Sequence, residues 1–155
     1  MMNINKILPR LYVGSCPQTA DDVGHLAQLG VSAVLNLQTD DDLQYWQIDW
    51  PAMQGAYDRA RIELRRQPIE DFNVDELRIR LPACVATLAE LMRADYTALV
   101  HCNAGINRSP STVIAYLHWI ENWELPQALQ HVMASRACDP YVEAIEQATA
   151  ERRAD

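Results

Sequence analysis

The sequence predicts an α/β fold with a mostly parallel sheet, because strand-like apolar runs alternate with helical patterns along the chain. Four runs have the length and composition of strands; they lie in residues 7–14, 31–38, 62–69 and 96–101. The stretches between them carry apolar residues at helical spacing. With 155 residues, of which 49% are hydrophobic, the chain is large enough to bury one core, so we predict a single domain over residues 1–155.

In the first part of the chain, a strand, a capped helix, a buried strand and a short helix are predicted in turn. Residues 7–14 have the pattern of an edge strand. Thr19 is placed to cap a helix that ends at Gly30, and Thr39 is placed to cap a short helix. The three aspartates at 40–42 suit the first turn of that short helix better than a metal site.

The middle of the chain predicts one long helix. The segment from Trp50 to Arg61 is polar and is assigned to neither a helix nor a strand. After the next strand, an apolar stripe at helical spacing predicts a helix. The stripe consists of Leu77, Leu81, Val85, Leu88 and Met92. Pro82 lies inside this pattern, so the helix either kinks or begins there.

Three more helices are predicted towards the C-terminus. One spans residues 109–120, with Pro110 at its first position. Another starts at Pro126. The last begins at Asp139 and Pro140, which suit a cap and a first helical position.

Charge and composition limit the kinds of partner. The formal net charge of −8 argues against nucleic acid or an anionic membrane as a partner. No apolar run has the length of a membrane span and the N-terminus lacks a signal-peptide pattern, so we expect a cytoplasmic protein. We also expect a monomer. The cysteines form no Cys-x-x-Cys pair, so no zinc site, disulfide framework, metal or cofactor is expected. They are Cys16, Cys84, Cys102 and Cys138.

The chemistry is predicted by residues 101–109, which read His-Cys-Asn-Ala-Gly-Ile-Asn-Arg-Ser between a strand and a helix. A loop that turns from a strand into a helix aims free backbone N–H groups and the positive end of the helix dipole at one point, which makes an anion site. Gly105 lets the backbone curl around the anion, and Arg108 adds guanidinium donors. The same field favours the thiolate of Cys102 and makes it a nucleophile for phosphoryl transfer. The other residues of the predicted phosphate-binding loop are His101, Asn103, Ala104, Ile106 and Asn107.

This nonapeptide resembles the signature H-C-x-x-G-x-x-R-S/T of the cysteine-dependent protein tyrosine and dual-specificity phosphatases. The resemblance implies a three-layer α/β fold of the protein-tyrosine-phosphatase type, with a central, mostly parallel sheet flanked by helices. It also implies a phosphoric monoester hydrolase in which Cys102 forms a cysteinyl-phosphate and Arg108 binds the phosphate.

A phosphatase of this class needs a general acid, because a phosphate monoester leaves as a poor alkoxide unless its oxygen is protonated. Asp71 is the candidate, since it lies in a strand-to-helix loop upstream of Cys102, which is the arrangement of the phosphatase family. Glu70 and Asp75 are the alternatives. Ser109 can donate a hydrogen bond to the sulfur of Cys102, and it can also cap the following helix.

Beyond the signature, residues 7–149 are similar to the glucan phosphatases, namely the plant starch-excess enzymes and, more distantly, laforin. The most specific stretch is residues 77–83, Leu-Arg-Ile-Arg-Leu-Pro-Ala. The resemblance implies that residues 135–150 pack on the catalytic domain and that aromatic side chains beside the pocket stack on glucan. The matching aromatic residues are Tyr45, Trp46 and Phe72. Asp139 departs from that family, whose plant members usually carry an aromatic residue there, and we expect no carbohydrate-binding module.

Two substrate hypotheses are open at this point. The first is a phosphatase that acts on phosphorylated glucan of the starch or glycogen type. The second is a dual-specificity protein phosphatase that acts on phosphotyrosine, phosphoserine or phosphothreonine. A catalytically silent phosphate-binding module is disfavoured because Cys102, Arg108 and Asp71 are all present, and a phosphoinositide phosphatase because the loop carries no lysine for further phosphates.

Overall fold

The computed structural model describes residues 1–154, in which a five-stranded sheet is covered by helices on both faces. The strands are β1 (Ile4–Leu8), β2 (Leu11–Gly14), β3 (Ala33–Asn36), β4 (Glu63–Arg66) and β5 (Ala98–His101). The helices are α1 (Ala20–Gln28), α2 (Asp40–Tyr45), α3 (Trp50–Ala60), α4 (Val74–Arg93), α5 (Arg108–Trp119), α6 (Leu125–Ser135) and α7 (Val142–Ala154). Asp155, the last residue of the predicted domain, lies outside the described residues.

The sheet has the order β1-β2-β5-β3-β4, and its pairs are parallel except for the antiparallel pair β1–β2. Gly14 and Asn36 both pair with His101 at the end of β5. The three central strands therefore end at the same level, and the segments that follow them leave the sheet at one edge. This arrangement confirms the predicted α/β fold with a mostly parallel sheet.

Side chains alternate between the two faces of each central strand, so two hydrophobic layers form. Leu35 and Val100 face the larger layer, which α4, α5, α6 and α7 cover. Val34 and Leu99 face the smaller layer, which α1 and α3 cover. In α7, the inward residues Ala144, Ile145 and Ala148 belong to the larger layer. Burial on both sides explains why the central strands are continuous apolar runs.

The predicted helix starts at the two threonines are confirmed. Thr19 accepts a hydrogen bond from the backbone of Asp22 at 3.3 Å, and α1 is followed by Gly30 with a positive φ of 84°. Thr39 forms a reciprocal capping box with Asp42 at the start of α2.

In the first half of the chain, one predicted strand is wrong and one helix was not predicted. The single edge strand over residues 7–14 is a hairpin, with β1 and β2 joined by a turn at Pro9 and Arg10, where proline cannot donate to a ladder. The polar segment up to Arg61, for which no helix was predicted, is α3 with Asp49 as its N-cap. The helical pattern was hard to see because α3 buries only three residues, which lie among polar ones. These residues are Met53, Ala56 and Tyr57.

Other boundaries differ from the prediction in the second half. Helix α4 begins at Val74, capped by Asn73, and passes through Pro82, so Pro82 does not start it. Helix α5 begins one residue earlier than predicted, at Arg108, which places Pro110 third in the helix. Ser109 is therefore not its cap.

The start of the last helix also differs from the prediction. Helix α7 begins at Val142, so Asp139 and Pro140 lie before it. Instead, the backbone N–H of Asp139 donates to the carbonyl of Ile106 at 2.7 Å, and Asn107 donates to the carbonyl of Asp139 at 2.9 Å. Asp139 thus ties the chain after α6 to the loop between β5 and α5. None of the helices in residues 1–154 is long and apolar enough to cross a membrane.

Candidate active site

The loop between β5 and α5 is held at its base by the two strands that flank β5. The backbone N–H of Cys16, just after β2, donates to the carbonyl of Asn103 at 2.9 Å. The backbone N–H of Leu37, just after β3, donates to the carbonyl of His101 at 3.0 Å. The shared level of the three strand ends therefore places the loop at the carboxyl edge of the sheet, where ligands of parallel sheets bind.

The middle of the loop requires a glycine. Gly105 has a positive φ of 71°, and a Cβ atom there would lie 2.5 Å from the carbonyl carbon of Gly14. The same Cβ would lie 2.5 Å from Nη2 of Arg136. The loop thus curls tightly against β2.

Cys102 opens the loop and is buried, with its Sγ 3.3 Å from Oγ of Ser109. Ser109 is the second residue of α5, so the sulfur lies beside the first turn of that helix. The hydroxyl can donate to a thiolate, and the N-terminal end of α5 favours negative charge at this place.

Arg108 reaches from the other end of the loop back across its base and is only 1% exposed. Its Nη1 donates to the carbonyl of Ile69 and to Oδ2 of Asp42, each at 2.7 Å. Its Nη2 lies 3.2 Å from Oδ2 of Asp71, an ion pair without hydrogen-bond geometry. Nε and Nη2 have no hydrogen-bond acceptor among residues 1–154, which leaves two donors of a fixed guanidinium for an anion.

Asp42 is a site residue that the sequence patterns missed. One carboxylate oxygen accepts from the side chain of Asn103 at 3.0 Å, and the other accepts from Arg108 and from the backbone N–H of Thr39. Burial pushes the pKa of Asp42 upwards, but these hydrogen bonds outweigh it and hold the pKa below the usual range. Asp42 therefore stays ionised and joins both ends of the loop. Its place in the first turn of the short helix that follows the central strand β3 is the signal that could have identified it.

Of the three candidates for the general acid, only Asp71 contacts Arg108. Glu70 is exposed and accepts a hydrogen bond from Asn73, whereas Asp75 pairs with Arg78 on the surface at 3.8 Å. Geometry thus favours Asp71 as the acid.

The remaining loop residues have structural contacts or lie open. Nδ1 of His101 lies 3.0 Å from the carbonyl of Cys102, and burial lowers the pKa of His101 to about 4, so the ring is neutral at neutral pH. The side chain of Asn103 is fixed between Asp42 and Gln38. Ala104 and Ile106 are exposed on the loop.

The three aromatic residues border an open cleft of about 800 Å³ beside the loop. The exposed fractions are 79% for Tyr45, 39% for Trp46 and 86% for Phe72. Tyr45 and Trp46 pack edge to face, with ring centroids 5.5 Å apart. Phe72 directly follows Asp71 and has a positive φ of 57°, a conformation that ordinary residues adopt rarely and that clusters at functional sites.

The cleft has an acidic lining. Besides the two carboxylates that contact Arg108, the side chains of Asp41, Glu70 and Glu76 border it. No group of three or more His, Cys, Asp or Glu residues within residues 1–154 is arranged to hold a metal ion.

Comparisons with known proteins agree with this geometry. The family model described as "Dual specificity phosphatase, catalytic domain" matches residues 11–147. The chain is 38% identical over 148 residues to the chloroplastic phosphoglucan phosphatase LSF1 of Arabidopsis thaliana, covering 96% of this chain and 25% of that protein. It is 32% identical over 146 residues to laforin of Mus musculus, covering 87% of this chain and 44% of laforin. The chain thus spans less than half the length of either relative.

A solved structure supports the fold. The active form of Tk-PTP superposes with a TM-score of 0.74, covering 96% of this chain and 94% of that one. The two sequences are 21% identical. The likeness confirms the fold of the protein-tyrosine-phosphatase type.

Proposed function

Because this chain belongs to the dual specificity phosphatase family, we propose that it hydrolyses phosphate monoesters through a cysteinyl-phosphate. The observation that carries this proposal is the loop that places Sγ of Cys102 beside the hydroxyl of Ser109, together with Nε and Nη2 of Arg108, which donate no hydrogen bond within residues 1–154. The proposed catalytic residues are Cys102, Arg108, Asp71 and Ser109. The proposed phosphate-binding loop comprises His101, Asn103, Ala104, Gly105, Ile106 and Asn107.

In the first step, the thiolate of Cys102 attacks phosphorus, the S–P bond forms and the P–O bond to the leaving group breaks. Asp71 gives its proton to the leaving oxygen. Nε and Nη2 of Arg108, together with the loop N–H groups, bind the non-bridging oxygens as their charge develops.

In the second step, water attacks phosphorus and gives a proton to the carboxylate of Asp71. The S–P bond breaks, phosphate forms, and Cys102 leaves as a thiolate that the hydroxyl of Ser109 stabilises. Asp42 remains ionised throughout and holds Arg108 while Asp71 changes its protonation state.

We propose phosphorylated glucan as the substrate. The names of the relatives support it, and so does the platform of three exposed rings, since a pyranose presents an apolar face to an aromatic ring. The acidic lining of the cleft fits a neutral carrier better than one with further negative charges. Dual-specificity protein phosphatase activity is the alternative, favoured by the family model. Phosphate release from phosphorylated amylopectin, from a phosphopeptide panel and from a small aryl phosphate decides between them.

Several broader properties are proposals from the sequence. They are a single catalytic domain with residues 135–150 packed on it, a monomer, a cytoplasmic location, and no nucleic-acid or membrane partner. The burial of Ile145 supports the packing of the C-terminal segment.

Removal of a platform ring should affect the polymer more than a small substrate. We expect Phe72→Ala and Trp46→Ala to lower kcat/KM on phosphoglucan about tenfold or more, roughly 1.4 kcal/mol or above, because each ring binds sugar in the transition state. Activity on the aryl phosphate should stay within a few fold, because that substrate does not reach the platform. Steady-state kinetics on both substrates measures the difference.

Ile79→Ala is the matched control, since Ile79 is also exposed and apolar but lies on α4 away from the cleft. It should leave both activities unchanged. Equal losses on both substrates with an unchanged melting temperature would remove the platform and favour a protein substrate.

Asp42→Asn should lower kcat/KM on the aryl phosphate about tenfold or more, because Arg108 loses an ionic hydrogen bond that fixes its position. Asp22→Asn is its control. Oδ2 of Asp22, at the start of α1, accepts a hydrogen bond from the backbone N–H of Gln18 at 2.8 Å, and Asp22 does not contact Arg108. Both variants should lower the melting temperature. Tungstate, a phosphate-like oxyanion, should raise the melting temperature less in Asp42→Asn than in the wild type, and equally in Asp22→Asn and the wild type. Unchanged kinetics and unchanged stabilisation by tungstate in Asp42→Asn would show that Asp42 serves α2 alone.

A further inference from the structure

Arg136, the residue directly after α6, lies behind the loop and is only 6% exposed. Its guanidinium donates at 2.7 Å to the carbonyl of Gly105 and at 2.9 Å to the carbonyl of Ala104. It also donates to the carbonyl and side-chain oxygen of Asn3, and to the side chain of Asn5. All of these acceptors are neutral amide oxygens.

No carboxylate of residues 1–154 lies within ion-pair distance of Arg136. A buried charge without a partner is costly, and natural proteins usually pair it. Arg108 shows the opposite arrangement, since Asp42 and Asp71 both contact it. The positive charge of Arg136 is therefore available to whatever lies on the other side of the loop.

The contacts of Arg136 also fix the direction of two peptide groups. In a planar trans peptide the C=O and the N–H point in opposite directions. Because the carbonyls of Ala104 and Gly105 point to Arg136, the N–H groups of Gly105 and Ile106 point away from it. Those N–H groups are then available to an anion held in the curl of the loop.

A count of charges shows why a second cation is needed. The thiolate and Asp42 would place two negative charges beside the single positive charge of Arg108, even when Asp71 carries the proton that it gives to the leaving oxygen. Cys16 contributes none, because burial raises its pKa to about 11. The titratable or charged groups of the loop and of the segments packed on it are Cys16 after β2, Asp42 in α2, Asp71 before α4, His101 in β5, Arg108 in α5, and Arg136, Cys138 and Asp139 after α6.

We propose that Arg136 is a positioning residue of the active site, which orients the loop N–H groups and supplies the positive charge that favours the Cys102 thiolate and a bound phosphate. This inference rests on the proposed function, because it takes phosphate as the anion. Burial lowers the pKa of Arg136, and a charged Cys102 acts against that lowering.

Three variants test the proposal. Arg136→Gln removes the charge, and Arg136→Lys keeps the charge but loses the planar guanidinium with its several donors. Asn3→Asp keeps Arg136 and places a carboxylate beside its Nη2, which lies 2.7 Å from Oδ1 of Asn3. The pH dependence of Cys102 alkylation by iodoacetamide, followed on its peptide by mass spectrometry, gives the midpoint of thiolate formation. Protection from alkylation by inorganic phosphate gives the affinity for the anion.

We expect Arg136→Gln to raise the alkylation midpoint by about one pH unit or more, and to require roughly tenfold more phosphate for equal protection. Asn3→Asp should raise the midpoint in the same direction while leaving the fold intact, which keeps the test valid if Arg136→Gln unfolds. Arg136→Lys should have the midpoint of the wild type but only part of its phosphate affinity. A single ammonium group cannot hold the carbonyls of both Ala104 and Gly105 as the guanidinium does.

Arg10→Gln is the control for a merely structural guanidinium. Arg10 also donates to backbone carbonyls, those of Met92 and Tyr96. None of these contacts involves the loop. It should lower the melting temperature without moving the alkylation midpoint. An unchanged midpoint and phosphate affinity in both Arg136→Gln and Asn3→Asp overturns the inference. Neither measurement needs turnover, so a wild-type chain that fails to hydrolyse aryl phosphate would overturn the proposed function separately.

Discussion

Cys102→Ser should abolish hydrolysis of every phosphate monoester while leaving a folded protein that still binds oxyanions. A serine hydroxyl has a far higher pKa than a thiol, so no nucleophile forms at neutral pH in its place. The loop N–H groups and Arg108 do not depend on the sulfur, and serine differs from the buried Cys102 only in having oxygen in place of sulfur. Phosphate release should fall to the level of buffer, and tungstate should still raise the melting temperature.

The control for this variant is Cys84→Ser. Cys84 is also buried, in α4, and burial raises its pKa to about 12, so it is not a nucleophile at neutral pH. This substitution should lower stability and keep turnover. Acid quenching of the wild-type reaction should in addition trap phosphate on the peptide that contains Cys102. Full activity in Cys102→Ser, or trapped phosphate on another residue, would refute the cysteinyl-phosphate mechanism.

Asp71→Ala should lower kcat by roughly 10²–10⁴-fold, the usual contribution of a positioned acid. The loss should shrink as the leaving group improves, because a dinitrophenolate departs without a proton. The basic limb of the pH–rate profile should flatten, since that limb reports the loss of the acid's proton. Binding of phosphate should not weaken, because removal of a carboxylate beside Arg108 takes away a competitor for its donors.

Glu70→Gln and Asp75→Asn are the controls for Asp71, since the contacts of both residues lie outside the loop. Each should retain nearly full activity and the basic limb. A nearly active Asp71→Ala beside an inactive Glu70→Gln would move the acid by one residue. A loss that is equal for good and poor leaving groups would show that Asp71 serves Arg108 rather than the leaving oxygen.

The parts of the fold that the sequence predicts are those with a local cause. Thr19 and Thr39 cap helices through the next few residues, and the loop around Gly105 is specified by a contiguous motif. The hairpin β1–β2 and helix α3 were missed because their signals are weak: a turn marked by a single proline, and a buried side of three residues.

The missed parts of the site have causes that are distant in the chain. Asp42 meets Arg108 across 66 residues, and Arg136 meets Gly105 across 31. At short range Asp42 is simply an acidic residue in the first turn of α2, and Arg136 is an unremarkable residue after α6. Only the sheet order, which places the ends of β2, β3 and β5 side by side, gives these residues a common neighbour.

The pairing of β5 with two strands from much earlier in the chain also governs when reactivity appears during folding. The contacts that shape the loop, such as the bond from Gln38 to Asn103 across 65 residues, join segments of high sequence separation. Such contacts form only after large loop-closure entropies have been overcome, so they belong to the later stages of folding. We therefore expect Cys102 to behave as an ordinary thiol until both the early strands and Arg136 have docked. On the proposed mechanism, the reactivity of Cys102 towards phosphate monoesters should appear only together with the cleft that selects the substrate.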